Sequence, residues 1–185
     1  FDARGLVEKL TSFDDPTAES DGDIVNEVRR AYNGLWQLIT EYQQTDGTVD
    51  TDTTPKVVYA YETSVSVNNA RITTMTYPTA ARVLSYQYGS SGSAADKLSR
   101  IASMNFAGTT GVVSYEYFGL GGFSKVLYGE PVVSFTLEAA GSPSIPLAGS
   151  LDFFSRLKQM KWQDGSSNVL EHLEYGYDVA SNRTY

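Results

Sequence analysis

The sequence of 185 residues contains no cysteine and a single histidine, His172. Disulfides, thiolate metal centres and cysteine nucleophiles are thereby excluded. A zinc site built on several histidines, or a Ser-His-Asp triad, has almost no material to work with. Basic residues are scarce as well, 14 against 22 acidic ones, for a formal net charge of −8. Nucleic-acid binding needs a basic face that displaces counterions from phosphates, and this balance argues against it. No run of about 18 apolar residues occurs, so no transmembrane helix is expected. The first residues lack the charged-then-apolar pattern of a signal peptide. These absences lean away from an enzyme.

What is abundant is tyrosine, with 13 residues, and glycine, with 16. Thr, Val, Ser and Tyr recur in short stretches between clusters of Gly, Asn, Asp and Ser. Aromatic and β-branched residues suit a pleated, half-buried surface, and the clusters read as turns. Val57–Tyr61, Arg71–Tyr77 and Val112–Tyr117 alternate large apolar with small or polar residues, as half-buried strands do. Pro78 ends the second of these, because proline has no N–H for a ladder. Two stretches leave room for a short helix. Asp23–Arg30 carries Ile24, Val25 and Val28 behind a possible Asp cap, but Tyr32, Trp36, Leu38 and Ile39 around Asn33-Gly34 favour a hairpin there. Leu151–Trp162 fits a helix face about as well as a strand pair.

A repeat organises the chain. Tyr-x-Tyr occurs at Tyr59/Tyr61, Tyr86/Tyr88, Tyr115/Tyr117 and Tyr175/Tyr177, with second tyrosines 27, 29 and 60 residues apart. Leu151-Asp152 fills the long gap, Tyr32-Asn33 lies 29 residues before Tyr61, and Phe1-Asp2 lies 31 before Tyr32. About seven marks thus fall at a spacing near 29. An aromatic-plus-Asp (or Asn) pair leads to a small residue, then a basic or polar one, then an apolar one. Phe1–Val7, Tyr32–Leu38, Leu151–Leu157 and Tyr177–Thr184 are compact copies. In the others the return is delayed, to Asn69-Ala70-Arg71-Ile72, Lys97–Ile101 and Ser124-Lys125-Val126. In physical terms, a strand ends in Tyr-x-Tyr with both rings on one face. The Asp or Asn makes a tight turn. Arg or Lys then opens a return strand whose aliphatic residue faces the tyrosines. One hairpin is marginal in water, and stacking neighbours buries a continuous face.

Tyr177-Asp178-Val179-Ala180-Ser181-Asn182-Arg183-Thr184 resembles the Tyr-Asp-x-x-Gly-Asn-Arg-Thr mark of the RHS/YD-repeat family, with Ser181 in place of Gly. Phe1-Asp2-Ala3-Arg4-Gly5 resembles its common form up to the Gly. Asn33, Glu62, Gly89 and Phe118 replace the Asp, so the repeats are degenerate. The resemblance covers essentially the whole chain. It implies an all-β fold of antiparallel β-hairpin repeats forming a continuous, curved (spiral) sheet. In that family, such sheets make hollow shells in bacterial toxin complexes and in animal cell-surface proteins. It also implies an extracellular or cell-surface location. Residues 1–185 would be a single YD-repeat domain, part of a longer chain. The family's C-terminal aspartate autoprotease has no recognisable counterpart, and no catalytic residue is carried over.

The candidate residues follow from this reading. Tyr32, Tyr59, Tyr61, Tyr86, Tyr88, Tyr115, Tyr117, Tyr175 and Tyr177 are expected to be repeat-core aromatics. Trp36 and Trp162 are candidates for ligand stacking. Asp46, Asp50 and Asp52 offer oxygens of the kind calcium takes. They lack the order of an EF-hand loop, so that stretch reads as a solvated insertion, as does the acidic stretch Asp14, Asp15, Glu19, Asp21 and Asp23. No metal and no cofactor is expected. Alternation puts His172 with Leu170 and Glu174 on one strand face. Gly119-Leu120-Gly121-Gly122 reads as a hairpin turn before a strand over Phe123–Tyr128, not as a phosphate loop.

The function that follows is structural: a shell, tube or filament wall built by edge-to-edge strand association. The expected partners are other copies or flanking repeats, with an encapsulated C-terminal domain or surface glycans as further ones. A carbohydrate or cell-surface binding module is the alternative, and a glycoside-active enzyme the third reading.

Overall fold

A computed structural model of the chain describes residues 1–15, 23–63, 70–78, 82–106, 111–119, 122–137, 150–152 and 154–184. Glu19, Asp21, Asn69, Leu120, Gly121 and Phe153 lie outside these. Two compact units divide the chain, residues 1–85 and 86–185. In the first, β1 (Lys9–Phe13), β2 (Ile24–Tyr32), β3 (Leu38–Gln44), β4 (Lys56–Tyr61) and β5 (Ile72–Thr76) lie antiparallel, each beside the next, and β6 (Val83–Gln87) follows at the boundary. In the second come β7 (Ser103–Phe106), β8 (Val113–Phe118), β9 (Gly122–Gly129), β10 (Val132–Thr136), β11 (Gln159–Asp164) and β12 (Val169–Glu174). The fold is all-β, with a 12-stranded antiparallel sheet whose strand order is the order of the chain. β13 (Gly176–Tyr177) and β14 (Arg183–Thr184) form a separate hairpin.

The strands fall where β-branched and aromatic residues alternate. The stretch Asp23–Arg30 is strand from Ile24 onward, within β2, and Asn33 closes its hairpin with β3. Leu151–Trp162 is a tight turn followed by β11, so neither stretch with helical spacing is a helix. The one short helix among the described residues, α1 (Ala94–Lys97), sits instead in the delayed return between Tyr88 and Arg100. The Ser93 hydroxyl caps it by accepting from the Asp96 N–H at 3.2 Å. No described helix is long and apolar enough to cross a membrane.

Burial is shallow. Leu84, Val113 and Val126 are the buried apolar side chains among the described residues. The rest of the apolar surface is half-buried within ladders of cross-strand neighbours. In the first unit, Tyr59 stands opposite Met75, and Met75 opposite Leu84. In the second, Tyr115, Val126, Phe135 and Trp162 form one row across β8, β9, β10 and β11. Ring centroids lie 5.2 Å apart for Tyr115 and Phe123, 5.1 Å for Tyr117 and Phe123, and 5.1 Å for Phe135 and Trp162. Among the described strands β1 pairs with β2 alone and β12 with β11 alone.

Candidate functional site

Five turns of one design recur, at Asp2, Asn33, Asp152, Asp164 and Asp178. In each, the Oδ1 of the first residue accepts the N–H groups two and four residues on, at 2.8–3.0 Å. The backbone closes the same loop twice: the first N–H donates to the carbonyl four residues on, and the fourth N–H donates to the first carbonyl. The fourth residue takes positive φ: Gly5, Trp36, Ser155, Ser167 and Ser181. An Asp or Asn is needed because only a short side-chain oxygen reaches both N–H groups.

The second side-chain atom of that residue fastens the exit strand. Arg156 Nε donates to Asp152 Oδ2 at 2.6 Å, and Asn168 and Asn182 donate to Asp164 and Asp178 at 2.9 Å. In the Asn33 turn the polarity reverses, and Asn33 Nδ2 donates to Gln37 Oε1 at 2.6 Å. These donors set the carboxyl acidities. The Asn168 and Asn182 amides hold Asp164 and Asp178 below the ordinary carboxylate value, and the Leu6 N–H does so for Asp2. At Asp152 burial pushes the value up, but the N–H and guanidinium of Arg156 outweigh it and the net shift is down.

Four strands entering a turn carry a register shift just before their last or penultimate residue: at Ala31/Tyr32, Ala60/Tyr61, Glu116/Tyr117 and Trp162/Gln163. Such a bulge re-aims the next side chain. The re-aimed Tyr32, Tyr61 and Tyr117, and Tyr177 without such a shift, reach back to the preceding repeat. Tyr32 donates to the Val7 carbonyl at 2.9 Å, Tyr61 to Leu38 at 2.9 Å, Tyr117 to Ile101 at 2.6 Å and Tyr177 to Leu157 at 2.7 Å. Arginine completes this clasp. Arg100 and Arg156, each just before the accepting residue, lie 4.5 and 4.4 Å over the rings of Tyr117 and Tyr177. Their guanidiniums also donate to Gly119 O at 2.7 Å and Ser181 Oγ at 2.9 Å, and Arg4 donates to Asn33 O at 2.7 Å.

The first tyrosines of the pairs behave differently. Tyr59 and Tyr115 lie in the sheet face, and burial pushes their phenols up, as it does those of Tyr61 and Tyr117. Tyr86 lies in β6 and Tyr88 just beyond it, both half-buried. Tyr175 has Arg183 over its ring at 5.0 Å. Of the two tryptophans, Trp36 is 61% exposed at the tip of the Asn33 turn, beside the exposed Leu35. Trp162 packs in the sheet face against Phe135. Phe154 and Val179 occupy other turn tips and are exposed.

The Asp46–Asp52 stretch forms part of the loop between β3 and β4. The Asp50 carboxylate accepts the Asp52 N–H at 2.9 Å and the Thr53 hydroxyl at 2.9 Å. Among the described residues no group of three His, Asp or Glu side chains gathers as a metal ion would require. The loop folds over Glu27, which is buried on the β2 face: Val49 N–H points at its Oε1, 3.4 Å away, and the Lys9 ammonium sits 2.8 Å from its Oε2. That ammonium lies off the hydrogen-bond directions, so charge alone holds Oε2. His172 shares a face with Glu174, 3.4 Å away, and approaches Gln159 at 3.3 Å.

The Asp164 turn escapes a search keyed on an aromatic residue before the Asp, because Gln163 stands there. The shared string Asp-x-x-Ser-Asn at 164–168 and 178–182 is the signal that finds it. Gly119 and Gly122 flank a hairpin between β8 and β9, in register from Tyr117/Phe123 to Phe118/Gly122.

No protein-family model and no curated protein matches the sequence. Among solved structures, the chain is similar to a chain in the crystal structure of TcdB2-TccC3, with 15% identity and a TM-score of 0.49. The similarity covers 95% of this chain and 9% of that one, so the present chain spans less than a tenth of the chain it matches.

Proposed function

We propose that the chain is a structural segment of a longer extracellular or cell-surface repeat protein, which builds a β-sheet shell, tube or filament wall by edge-to-edge strand association. The observation that carries this reading is the clasp. Tyr32, Tyr61, Tyr117 and Tyr177 each bond to the backbone of the repeat before them, so four repeats are tied to a neighbour rather than closed by a core of their own. Among the described strands β1 and β12 pair on one side only, which supports it further, since unpaired strand edges are templates for another chain. Four of the five recurring turns, at Asp2, Asn33, Asp152 and Asp178, lie at the repeat marks that resemble the YD motif, which supports an RHS-like repeat. Catalysis is no part of this reading: the turn carboxylates are engaged by the N–H groups of their own loops.

Size-exclusion chromatography with light scattering, followed by negative-stain microscopy of the same peak, tests the proposal. Ordered tubes, filaments or shells are the expected result. A clean monomer of 20.2 kDa that never assembles would overturn the edge-to-edge mode. Attention would then pass to glycan recognition by exposed aromatics, for which the 61% exposure of Trp36 is the favouring observation.

A further inference from the structure

The recurring turn carries different side chains at the two ends of the strands. β11 and β12 meet at the Asp164 turn, whose outer residues Gly165, Ser166 and Ser167 are small or polar. Their far ends carry the Asp152 and Asp178 turns, which expose Phe154 and Val179. In the first unit, the Asn33 turn between β2 and β3 exposes Leu35 and Trp36, 64% and 61% open to solvent. The backbone bonds are the same in all of these turns, so nothing in their design calls for an apolar tip. Trp36 is costly twice over. Its ring lies largely in water, and its φ of 66° is a region where Gly5 and three serines stand in the other turns. An exposed, bulky residue held in the left-handed region points to a role outside folding.

Charge in the first unit is uneven along the same direction. At the Asn33 end it is balanced: Asp2 holds Arg4 at 2.7 Å, Glu41 holds Arg30 at 2.7 Å, and Glu8 reaches Arg29 at 4.0 Å. Arg4 also ties the Asp2 and Asn33 turns together, through its bond to the Asn33 carbonyl. At the opposite end gather Asp14, Asp15 and Asp23, beside β1 and β2, and Asp46, Asp50 and Asp52, in the β3–β4 loop. The nine residues of β2 keep the two ends roughly 26 Å apart, at about 3.3 Å per residue. That is about three screening lengths in physiological salt, so the acids do not act on what meets the tip.

We propose that the Leu35–Trp36 tip docks on a lipid bilayer, with the Trp36 ring at the level of zwitterionic headgroups and the Leu35 side chain among the outer acyl carbons. Tryptophan is enriched at that level because its ring is apolar while its N–H stays wet. The tip is convex, two successive residues at the outside of a turn, and it enters a soft interface without a cavity shaped to it. A protein partner would have to supply such a cavity. The balanced charge beside the tip sets up no repulsion from the headgroups, and the acidic end faces away into water. Phe154, third in its turn as Leu35 is in its own, gives the second unit an apolar tip of the same kind. In this arrangement the chain rests on the surface and spans nothing. The inference goes beyond wall assembly and does not depend on it.

The test has two readouts with phosphatidylcholine vesicles: flotation of the wild-type chain, and Trp36 emission in the full chain carrying Trp162→Phe, which leaves one tryptophan of the two. The expected result is flotation with the vesicles and a saturable blue shift, both persisting in physiological salt, with quenching by lipid brominated near the headgroup end of its chains. Trp36→Ser, read by flotation, weakens partitioning by about tenfold, and Leu35→Ser by less. Serine is what the chain itself places at this position in three other turns, so Trp36→Ser keeps the fold, and a melting curve at or above that of the wild type verifies it. Absence of flotation and of any shift at saturating lipid overturns the proposal, as does undiminished flotation of Trp36→Ser. Binding that needs phosphatidylserine and vanishes in physiological salt overturns it too, because charge and not the tip would then be responsible. A blue shift that grows with protein concentration in the absence of lipid also overturns it, and gives the tip to a second copy. Flotation is scored on monomer and assembly alike, so its failure and failure to assemble are separate results.

Discussion

The Tyr177 hydroxyl donates to the carbonyl oxygen of Leu157 at 2.7 Å, a bond that joins one repeat to the one before it. Tyr117 does the same to Ile101 at 2.6 Å. In both cases the arginine just before the acceptor stacks on the tyrosine ring. The same three groups thus meet twice in the second unit, although α1 lengthens the turn before Arg100 and no helix lengthens the turn before Arg156. A repeat therefore tolerates insertion at its turn as long as the sequence resumes with positive φ, arginine and an aliphatic residue. Ser99-Arg100-Ile101 and Ser155-Arg156-Leu157 both do so.

The clasp predicts the effect of removing one oxygen. Tyr117→Phe keeps the ring under Arg100 and strands the Ile101 carbonyl, for an expected loss of about 1 kcal/mol in urea unfolding. Tyr117→Leu also removes the ring from Arg100 and Phe123, and its expected loss is about 3 kcal/mol. Equal stabilities for wild type and Tyr117→Phe would mean that water replaces the hydroxyl without penalty.

Arg156 is the busiest side chain of the second unit. Its Nε and Nη2 both meet Asp152 Oδ2 at 2.6 Å, its Nη1 meets Ser181 Oγ, and its plane covers Tyr177. A lysine can supply the charge but not the fork or the stacked plane. Arg156→Lys is expected to destabilise by about 1.5 kcal/mol, and Lys56→Arg, on an exposed side chain without an ion pair among the described residues, by nothing measurable. Comparable losses in the two variants would remove the case for a clasp.

Acid should unfasten the turns. Asp2, Asp152, Asp164 and Asp178 all have folded values below the ordinary 3.8. A group depressed in the folded state contributes stability that is present above its unfolded value and lost as pH falls through the folded one. Urea midpoints should hold level from neutral pH to about 5 and decline below 3.8. Asp164→Asn keeps an Oδ1 acceptor, as Asn33 naturally does, and should flatten part of that decline. An unchanged acid limb in this variant would place the titration elsewhere.

Much of the fold could be read from residue order alone. Tyr-x-Tyr marked strand ends, and Asp2, Asn33, Asp152 and Asp178 marked turns, because both signals act over a few residues. Three features escaped for reasons of range. The bulge before Tyr32, Tyr61 and Tyr117 breaks strict alternation, and alternation was the rule that put both rings on one face. The left-handed residue at Asn33-Gly34 is Trp36 and not Gly34, because the Asn33 side chain selects a longer loop than the dipeptide suggests. The Lys9–Arg29–Tyr42–Lys56 row is set by register across four strands, which spacing along the chain does not reveal.

The turn at Asp164 offers the cleanest test of what the fourth position requires. Ser167 holds φ at 66° there, a region in which Cβ crowds the backbone and glycine does not. Its carbonyl accepts from Gln163 Nε2 at 3.0 Å, a bond that does not depend on the side chain. Ser167→Gly relieves the crowding, at the expense of a more flexible unfolded chain, and is expected to raise stability by about 0.5 kcal/mol. Ser181→Gly relieves the same crowding but breaks the contact from Arg156, so its gain should vanish or reverse. Chemical denaturation of the two variants side by side separates backbone strain from the clasp. If both gained equally, the Arg156–Ser181 contact would contribute nothing to joining the repeats.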